Sequence, residues 1–230
     1  GVIGGRDVDH LFDPVRKTPM HEWHVSSGAL FEDVGQWKRP YYYPRNGEDM
    51  AAAVKRECEA VGSTVGIADA STLGKLDLRG PDVKKLLNWV YTNAWNKLET
   101  NRCRYGLMLG ENGMVFDDGV TTKLSDEHYL MSTTSGGAGH VHQWLEEWLQ
   151  CEWLDMKVWV TNITTQYAVA QISGPRSRDL LAELASDIDV SPQAFPFMSM
   201  RCGTVADISA RVFRISFSGE LSYEINVPAN

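Results

Sequence analysis

Between Glu48 and Glu59 the apolar residues Met50, Ala53, Val54 and Cys58 recur at helical spacing, and Gly62 follows as a stop signal, so this stretch is expected to be a helix. Residues 65–68 and the alternating Gly74-Lys75-Leu76-Asp77-Leu78 predict two strands. Gly80-Pro81-Asp82 then opens a helix through Val90, proline suiting a first turn whose N–H has no helical partner. Residues 105–109 and 114–116 predict a hairpin around Glu111-Asn112-Gly113, because Asn-Gly favours tight turns. A longer helix is expected over residues 138–151, with Val141, Trp144, Leu145 and Trp148 on one face.

The same phrase returns later in the chain. Residues 167–172 read as a strand, Ser173-Gly174-Pro175 opens a helix, and Leu180-Leu181 stand where Leu86-Leu87 stood in the first copy. The runs 129–133 and 223–227 form a second match. Two related halves with antiparallel signals imply an α+β fold of pseudo-repeated halves, mixed or antiparallel sheets packed with helices, rather than a doubly wound sheet. The division expected is an N-terminal arm over 1–45, a first half over 46–160 and a second half over 161–230. No counterpart of the 138–151 helix follows Asn230, so the chain reads as a truncated piece. In the arm the periodicity is weak, and its apolar patches at residues 28–31 and 37–43 need a surface to pack on.

Composition narrows the function. Hydrophobic residues at 43% and charged residues at 23% exclude wholesale disorder. The 22 basic and 30 acidic residues give a net charge of -8, which disfavours a nucleic acid partner. No apolar run is long enough for a membrane helix and no leader opens the chain, so no membrane association and a cytoplasmic location are expected. The four cysteines are scattered, without a zinc-knuckle or disulfide pattern.

Chemistry-bearing residues are few. Asp117 and Asp118 adjoin on a strand, so only one can face a pocket if the other faces away; the pair is either turn-flanking or supplies one carboxylate for an N–H-bearing ligand. Glu224, between Tyr223 and Ile225, either faces solvent by alternation or accepts a ligand's paired N–H donors. Residues 132–139, rich in Ser, Thr and Gly, lack the order of a P-loop or dinucleotide turn and read as a strand-to-helix turn with a hydroxyl N-cap. His140 and His142 project roughly 200° apart on a helix and do not suit one metal, and His21 and His24 lack a third ligand nearby. All four are expected to be structural or at the surface.

As an ordered set, Asp69-Ala-Ser-Thr-Leu-Gly-Lys-Leu76, Gly80-Pro81-Asp82, Tyr105-Gly-Leu-Met-Leu109, Gly113-Met-Val-Phe-Asp-Asp-Gly119 and Ser216-Phe-Ser-Gly-Glu-Leu-Ser-Tyr-Glu-Ile225 resemble the folate-binding aminomethyltransferases. That family includes glycine-cleavage T-proteins and the C-terminal parts of dimethylglycine and sarcosine oxidases. Gly35-Gln-Trp-Lys-Arg-Pro40 and Phe116-Asp-Asp-Gly119 look most like the alpha subunits of its heterotetrameric sarcosine oxidase branch. The resemblance implies transfer of the one-carbon unit of an imine, made by oxidative demethylation of sarcosine, to tetrahydrofolate, giving 5,10-methylenetetrahydrofolate. It implies flavin and NAD in other parts of the complete enzyme, other subunits as partners, and a C-terminal β-barrel beyond Asn230 that supplies further folate contacts. A stand-alone aminomethyltransferase and a non-catalytic folate-fold module are the alternatives. By the same resemblance Asp118 is the catalytic residue, while Tyr105, Thr133, Phe217 and Glu224 bind folate, Glu224 gripping the pterin N–H groups. In that resemblance Phe217 stands where T-proteins usually have Tyr, and they usually have Asn near Thr133.

Overall fold

The structure is a computed structural model that describes residues 16–229. Of the expected arm, residues 1–15 lie outside the described residues. The remainder of the arm is more regular than its weak periodicity suggested. A short strand β1 (Arg16–Lys17) and helix α1 (His21–Ser26) precede a hairpin of β2 (Leu30–Val34) and β3 (Trp37–Tyr42). These strands form a small sheet in the order β1-β3-β2, with Trp37 buried and Arg16 stacked over it.

Helix α2 (Met50–Ser63) starts at an Asp49 cap, whose carboxylate accepts from the Ala52 N–H, and runs through Gly62 rather than stopping there. The C-terminal hydroxyls of Ser63 and Thr64 donate to carbonyls of the last turn. Of its apolar residues only Ala53 is buried, whereas Met50, Val54 and Cys58 are exposed.

Two five-stranded sheets make the body of the molecule. The first has β5 (Gly74–Arg79), β6 (Cys103–Leu109), β7 (Val115–Ser125), β8 (His128–Thr133) and β9 (Trp159–Asn162) in the order β6-β7-β8-β5-β9. The second has β4 (Gly66–Asp69), β10 (Tyr167–Ser173), β11 (Ser199–Val205), β12 (Ile208–Arg214) and β13 (Ser222–Pro228) in the order β11-β12-β13-β10-β4. Every pairing within both is antiparallel. Neither sheet closes into a barrel among the described residues.

The repeated phrase in the sequence is thus a repeated architecture. One offset in residue number carries β5, helix α3 (Val83–Val90) and β8 onto β10, helix α5 (Ser177–Leu184) and β13, and each edge strand is exchanged. β4, which leads into β5, pairs with β10 in the other sheet, and β9, which leads into β10, pairs with β5. Gly80 and Gly174 lock the exchange. Their φ angles of +131° and +123° suit only glycine, and a Cβ would lie 2.2 Å from the Lys157 carbonyl oxygen or 2.4 Å from that of Val61. In both halves the next turn docks on the chain entering the exchanged strand, as Asp82 N–H donates to Lys157 O and Arg176 N–H to Thr64 O.

Alternation then sorts each sheet's side chains between two faces. Leu76, Leu78, Tyr129 and Met131 of the first sheet pack under α3 and helix α4 (Ala138–Glu147), and Ile172, Val212, Tyr223 and Ile225 of the second pack under α5. The opposite faces meet each other through Cys103, Leu130, Ile163, Met200, Phe213 and Ile215. The 138–151 helix is regular only to Glu147, after which Trp148–Glu152 widens to a π-helical turn. Its N-cap is Gly137 without a side-chain cap, in place of the expected hydroxyl; Thr134 Oγ1 instead accepts from the Gly137 N–H at 3.1 Å. The Asn112-Gly113 turn forms as expected, with Gly113 at φ +76° and its N–H on Gly110 O.

Candidate functional site

The facing sides of the two sheets enclose a cavity of about 30 Å³, room for a single water. It lies on the pseudo-twofold relating the halves, because its wall is built from matched pairs. Lys75 matches Val169, Leu130 matches Glu224, and Ser132 matches Asn226; Thr122 and Phe213 hold equivalent places beside Leu130 and Glu224. The two halves therefore contribute the same positions with different chemistry.

Glu224, on β13, faces this cavity rather than solvent. Alternation would permit either, but the sheet-to-sheet packing puts this face inside, and the tight fit of Tyr223 and Ile225 under α5 fixes the register. Among the described residues no donor lies within hydrogen-bonding distance of its carboxyl, and removal from water pushes its pKa up to about 7, with Lys75 acting in the opposite direction. Lys75 is 4% exposed; burial brings its pKa down to about 8, against the pull of Glu224 and Asp69. Its ammonium donates to Ser71 O at 3.0 Å and Leu73 O at 2.8 Å. Asn226, two residues from Glu224 and on the same face, brings an amide to the wall.

The paired aspartates divide as alternation requires. Asp117 is 4% exposed and points to the helix side, where it accepts from the Asp118 N–H, the Thr134 N–H and the Thr134 hydroxyl. Burial raises its pKa, while these donors act to lower it. Gly137 is obligatory beside it, since a Cβ would fall 1.6 Å from Asp117 Oδ2. Asp118 shares its face of β7 with Val120 and Thr122 of the cavity wall, roughly 7 Å along the strand from Val120 at about 3.3 Å per residue. It accepts from the Tyr105 hydroxyl at 2.6 Å, and that bond is the largest cause of a raised Tyr105 pKa, which keeps the phenol a proton donor at neutral pH. Two residues on, the Ser132 hydroxyl accepts from Val120 N–H and donates to Val120 O, taking the place of the backbone ladder beside Gly119.

Asp118, Tyr105 and Glu224 thus stand on the two sheet faces that enclose the cavity, Glu224 in its wall and the other two outside the wall on the face of β6 and β7. Thr133 and Phe217 do not join them. Thr133 lies on the helix-facing side of β8, and its hydroxyl donates to Thr134 O. Phe217 is 99% exposed on the turn before β13 and touches no part of the cavity wall. Lys75 was passed over in the sequence because alternation made it a solvent-facing strand lysine, and Asn226 carried no signal at all. His24, expected to be structural or at the surface, is structural: it is buried, its Nε2 2.9 Å from Asp69 Oδ2 and its Nδ1 2.6 Å from the Tyr43 hydroxyl, tying α1 and the segment after β3 to β4. Among the described residues no cluster of His, Cys, Asp and Glu could hold a metal, and no helix is long and apolar enough to cross a membrane.

An α+β pair of strand-exchanged halves with a carboxylate-bearing cavity on their pseudo-twofold defines the class, and residues 20–230 match the model of the GCVT N-terminal domain; the chain belongs to that family. Among individual proteins it is 54% identical over 228 residues to the sarcosine oxidase subunit alpha of Corynebacterium sp. (strain P-1), which takes in 99% of this chain and 24% of that subunit. It is 40% identical to the same subunit of Rhizobium meliloti (strain 1021), and 29% identical to the aminomethyltransferase of Listeria monocytogenes serotype 4a (strain HCC23), of which it covers 55%. The chain therefore spans about a quarter of the first relatives and about half of the last. The glycine cleavage system aminomethyltransferase T of Bartonella henselae superposes with a TM-score of 0.77 at 21% identity, covering 93% of this chain and 54% of that one. A chain of the heterotetrameric sarcosine oxidase of Corynebacterium sp. U-96, in complex with pyrrole 2-carboxylate, gives 0.58 at 15% over 93% and 87%. These two show a common fold.

Proposed function

We propose that this chain is the folate-binding, one-carbon-transferring part of a sarcosine oxidase alpha subunit. The observation that carries the reading is Glu224: a carboxylate in an otherwise largely apolar cavity, without a hydrogen-bond partner among the described residues. Such a group suits an edge of adjacent N–H donors like that of an aminopyrimidinone ring, with both carboxylate oxygens accepting. The two acceptor oxygens fit the N–H edge of a pterin, and the enclosed 30 Å³ has room for no more than the tip of that edge. Tetrahydrofolate, when bound, supplies the nitrogens that accept the carbon unit.

The chain's own residues have distinct tasks. Glu224 anchors and orients the ring edge. Asp118, held by the Tyr105 hydroxyl, offers its remaining lone pairs to an amine proton. Tyr105 stays protonated and fixes that carboxylate's rotamer. Asp117 takes no part in the chemistry and holds the strand-to-helix turn in place. Sarcosine oxidation at a flavin, NAD binding and the other subunits belong, in this reading, to other parts of the complete enzyme.

The separation of sites gives the test. In the complete enzyme Asp118→Ala is expected to leave hydrogen peroxide production from sarcosine near the wild-type rate while lowering the yield of 5,10-methylenetetrahydrofolate. Equal loss of both products defeats the reading.

A further inference from the structure

Lys75 and Glu224 need not be charged for the fold to form. Their counterparts in the other half, Val169 and Leu130, fill the same positions of the same wall with apolar side chains. Burying two opposite charges across a cavity contributes little net stability over a well-packed apolar pair, so the fold alone gives no reason for them.

The ammonium is also incompletely matched. Two of its three N–H groups are taken by the Ser71 and Leu73 carbonyls, and a buried lysine needs an anion nearby. Asp69 is not free to serve, because Oδ2 is paired with His24 Nε2 and Oδ1 accepts from the Ser71 N–H. Glu224, in the opposite wall of the same cavity, is the remaining carboxyl.

We propose that Lys75 is a positioning residue for ligand recognition, its ammonium holding the Glu224 carboxyl across the cavity in the anionic form that accepts two N–H donors at once. A neutral carboxyl presents one hydroxyl donor and one carbonyl acceptor, which mismatches a pair of adjacent N–H groups. Burial in an apolar wall drives Glu224 toward that neutral form, and the lysine charge opposes it. The other groups that face Glu224 carry no charge near neutral pH: Thr122 from β7, Phe213 from β12, Asn226 from its own strand, and the Cys103 thiol from β6, which burial raises to about 11. Asp69 also lies near enough to attract the Lys75 ammonium.

The inference rests on the reading of Glu224 as the ligand anchor, but its primary test needs no ligand. The Glu224 side-chain carboxyl is followed by carbon NMR against pH in the wild-type chain, Lys75→Met, Lys75→Gln and Lys75→Arg, with Glu224→Gln assigning the signal. Expected is a midpoint raised by about one unit or more in Lys75→Met and Lys75→Gln, and returned toward wild type in Lys75→Arg. An unchanged midpoint in whichever neutral variant folds overturns the proposal. In parallel, tetrahydrofolate is titrated at pH 6, 7.5 and 9, where the neutral variants should bind at least about threefold more weakly at pH 7.5, as a one-unit rise from about 7 requires, and recover at pH 9. If Glu224→Gln binds as wild type does, the anchor reading fails while the ionisation result still decides the role of Lys75.

Discussion

Asp117 and Asp118 adjoin on β7 and face opposite sides of the first sheet, one closed off by three donors and the other joined to Tyr105. Their substitutions should therefore separate stability from function. Asp117→Ala strands the Thr134 N–H and hydroxyl beside a void, at a cost of about 2–3 kcal/mol. Asp118→Ala removes a half-exposed acceptor, at under about 1 kcal/mol. Urea denaturation of the two variants measures the difference, and a larger loss from Asp118→Ala is inconsistent with the assigned roles.

The Glu224 pKa, raised from 4.5 to about 7, makes stability depend on pH in a definite direction. The folded state holds this proton more tightly than the unfolded one, so the stabilising contribution is complete below about pH 4.5 and is lost as pH rises to about 7. Glu224→Gln escapes that loss. It should equal or trail wild type at pH 4.5 and exceed it at pH 7 by about 1–2 kcal/mol, less whatever Lys75 loses with its partner. Denaturant midpoints at the two pH values provide the check; a relative stability that does not move toward the variant on going to pH 7 contradicts the placement of this carboxyl.

Exchange of β4 and β9 makes the halves interdependent. Pieces 46–160 and 161–230, expressed separately, should each lack dispersed amide resonances, because the cut splits edge strand β9 of the first sheet, the second piece loses its edge strand β4, and each loses the sheet face packed against its mate. Gly174→Ala, which drives a Cβ into the Val61 and Thr64 carbonyls at a φ of +123°, should cost on the order of 2–4 kcal/mol. Cooperative unfolding of either piece alone, or a Gly174→Ala midpoint equal to wild type, would show the exchange to be dispensable.

Much of this was legible in the sequence. The strand, Gly-Pro, helix phrase marked both halves because each copy solves the same local problem, a turn at positive φ docking on the strand that enters from the other half. The exchange itself was not legible: β4 and β9 carry no sign of which sheet they join, pairing being settled by sheet-to-sheet packing. Strand parity correctly separated Asp117 from Asp118 but could not say which faced the cavity. For Glu224 parity left both faces open, and only the stacking of one sheet on the other made its side interior. Thr133 and Phe217 came from resemblance alone, and local geometry turns one toward the helices and the other to solvent. Lys75 was hidden because a lysine in an alternating strand ordinarily faces water.

The most direct measurement is a chemical-shift titration of this chain with tetrahydrofolate, which detects weak binding as well as tight, carried out on wild type, Glu224→Gln and Phe217→Ala. Expected are shifts confined to the facing sides of β5, β7, β8, β10 and β13, with affinity lowered about tenfold or more by Glu224→Gln, as loss of a charge-assisted contact of about 1.5–3 kcal/mol requires, and little changed by Phe217→Ala. Shifts centred on the Phe217 turn, or binding indifferent to Glu224→Gln, would contradict a ligand anchored in the cavity between the sheets.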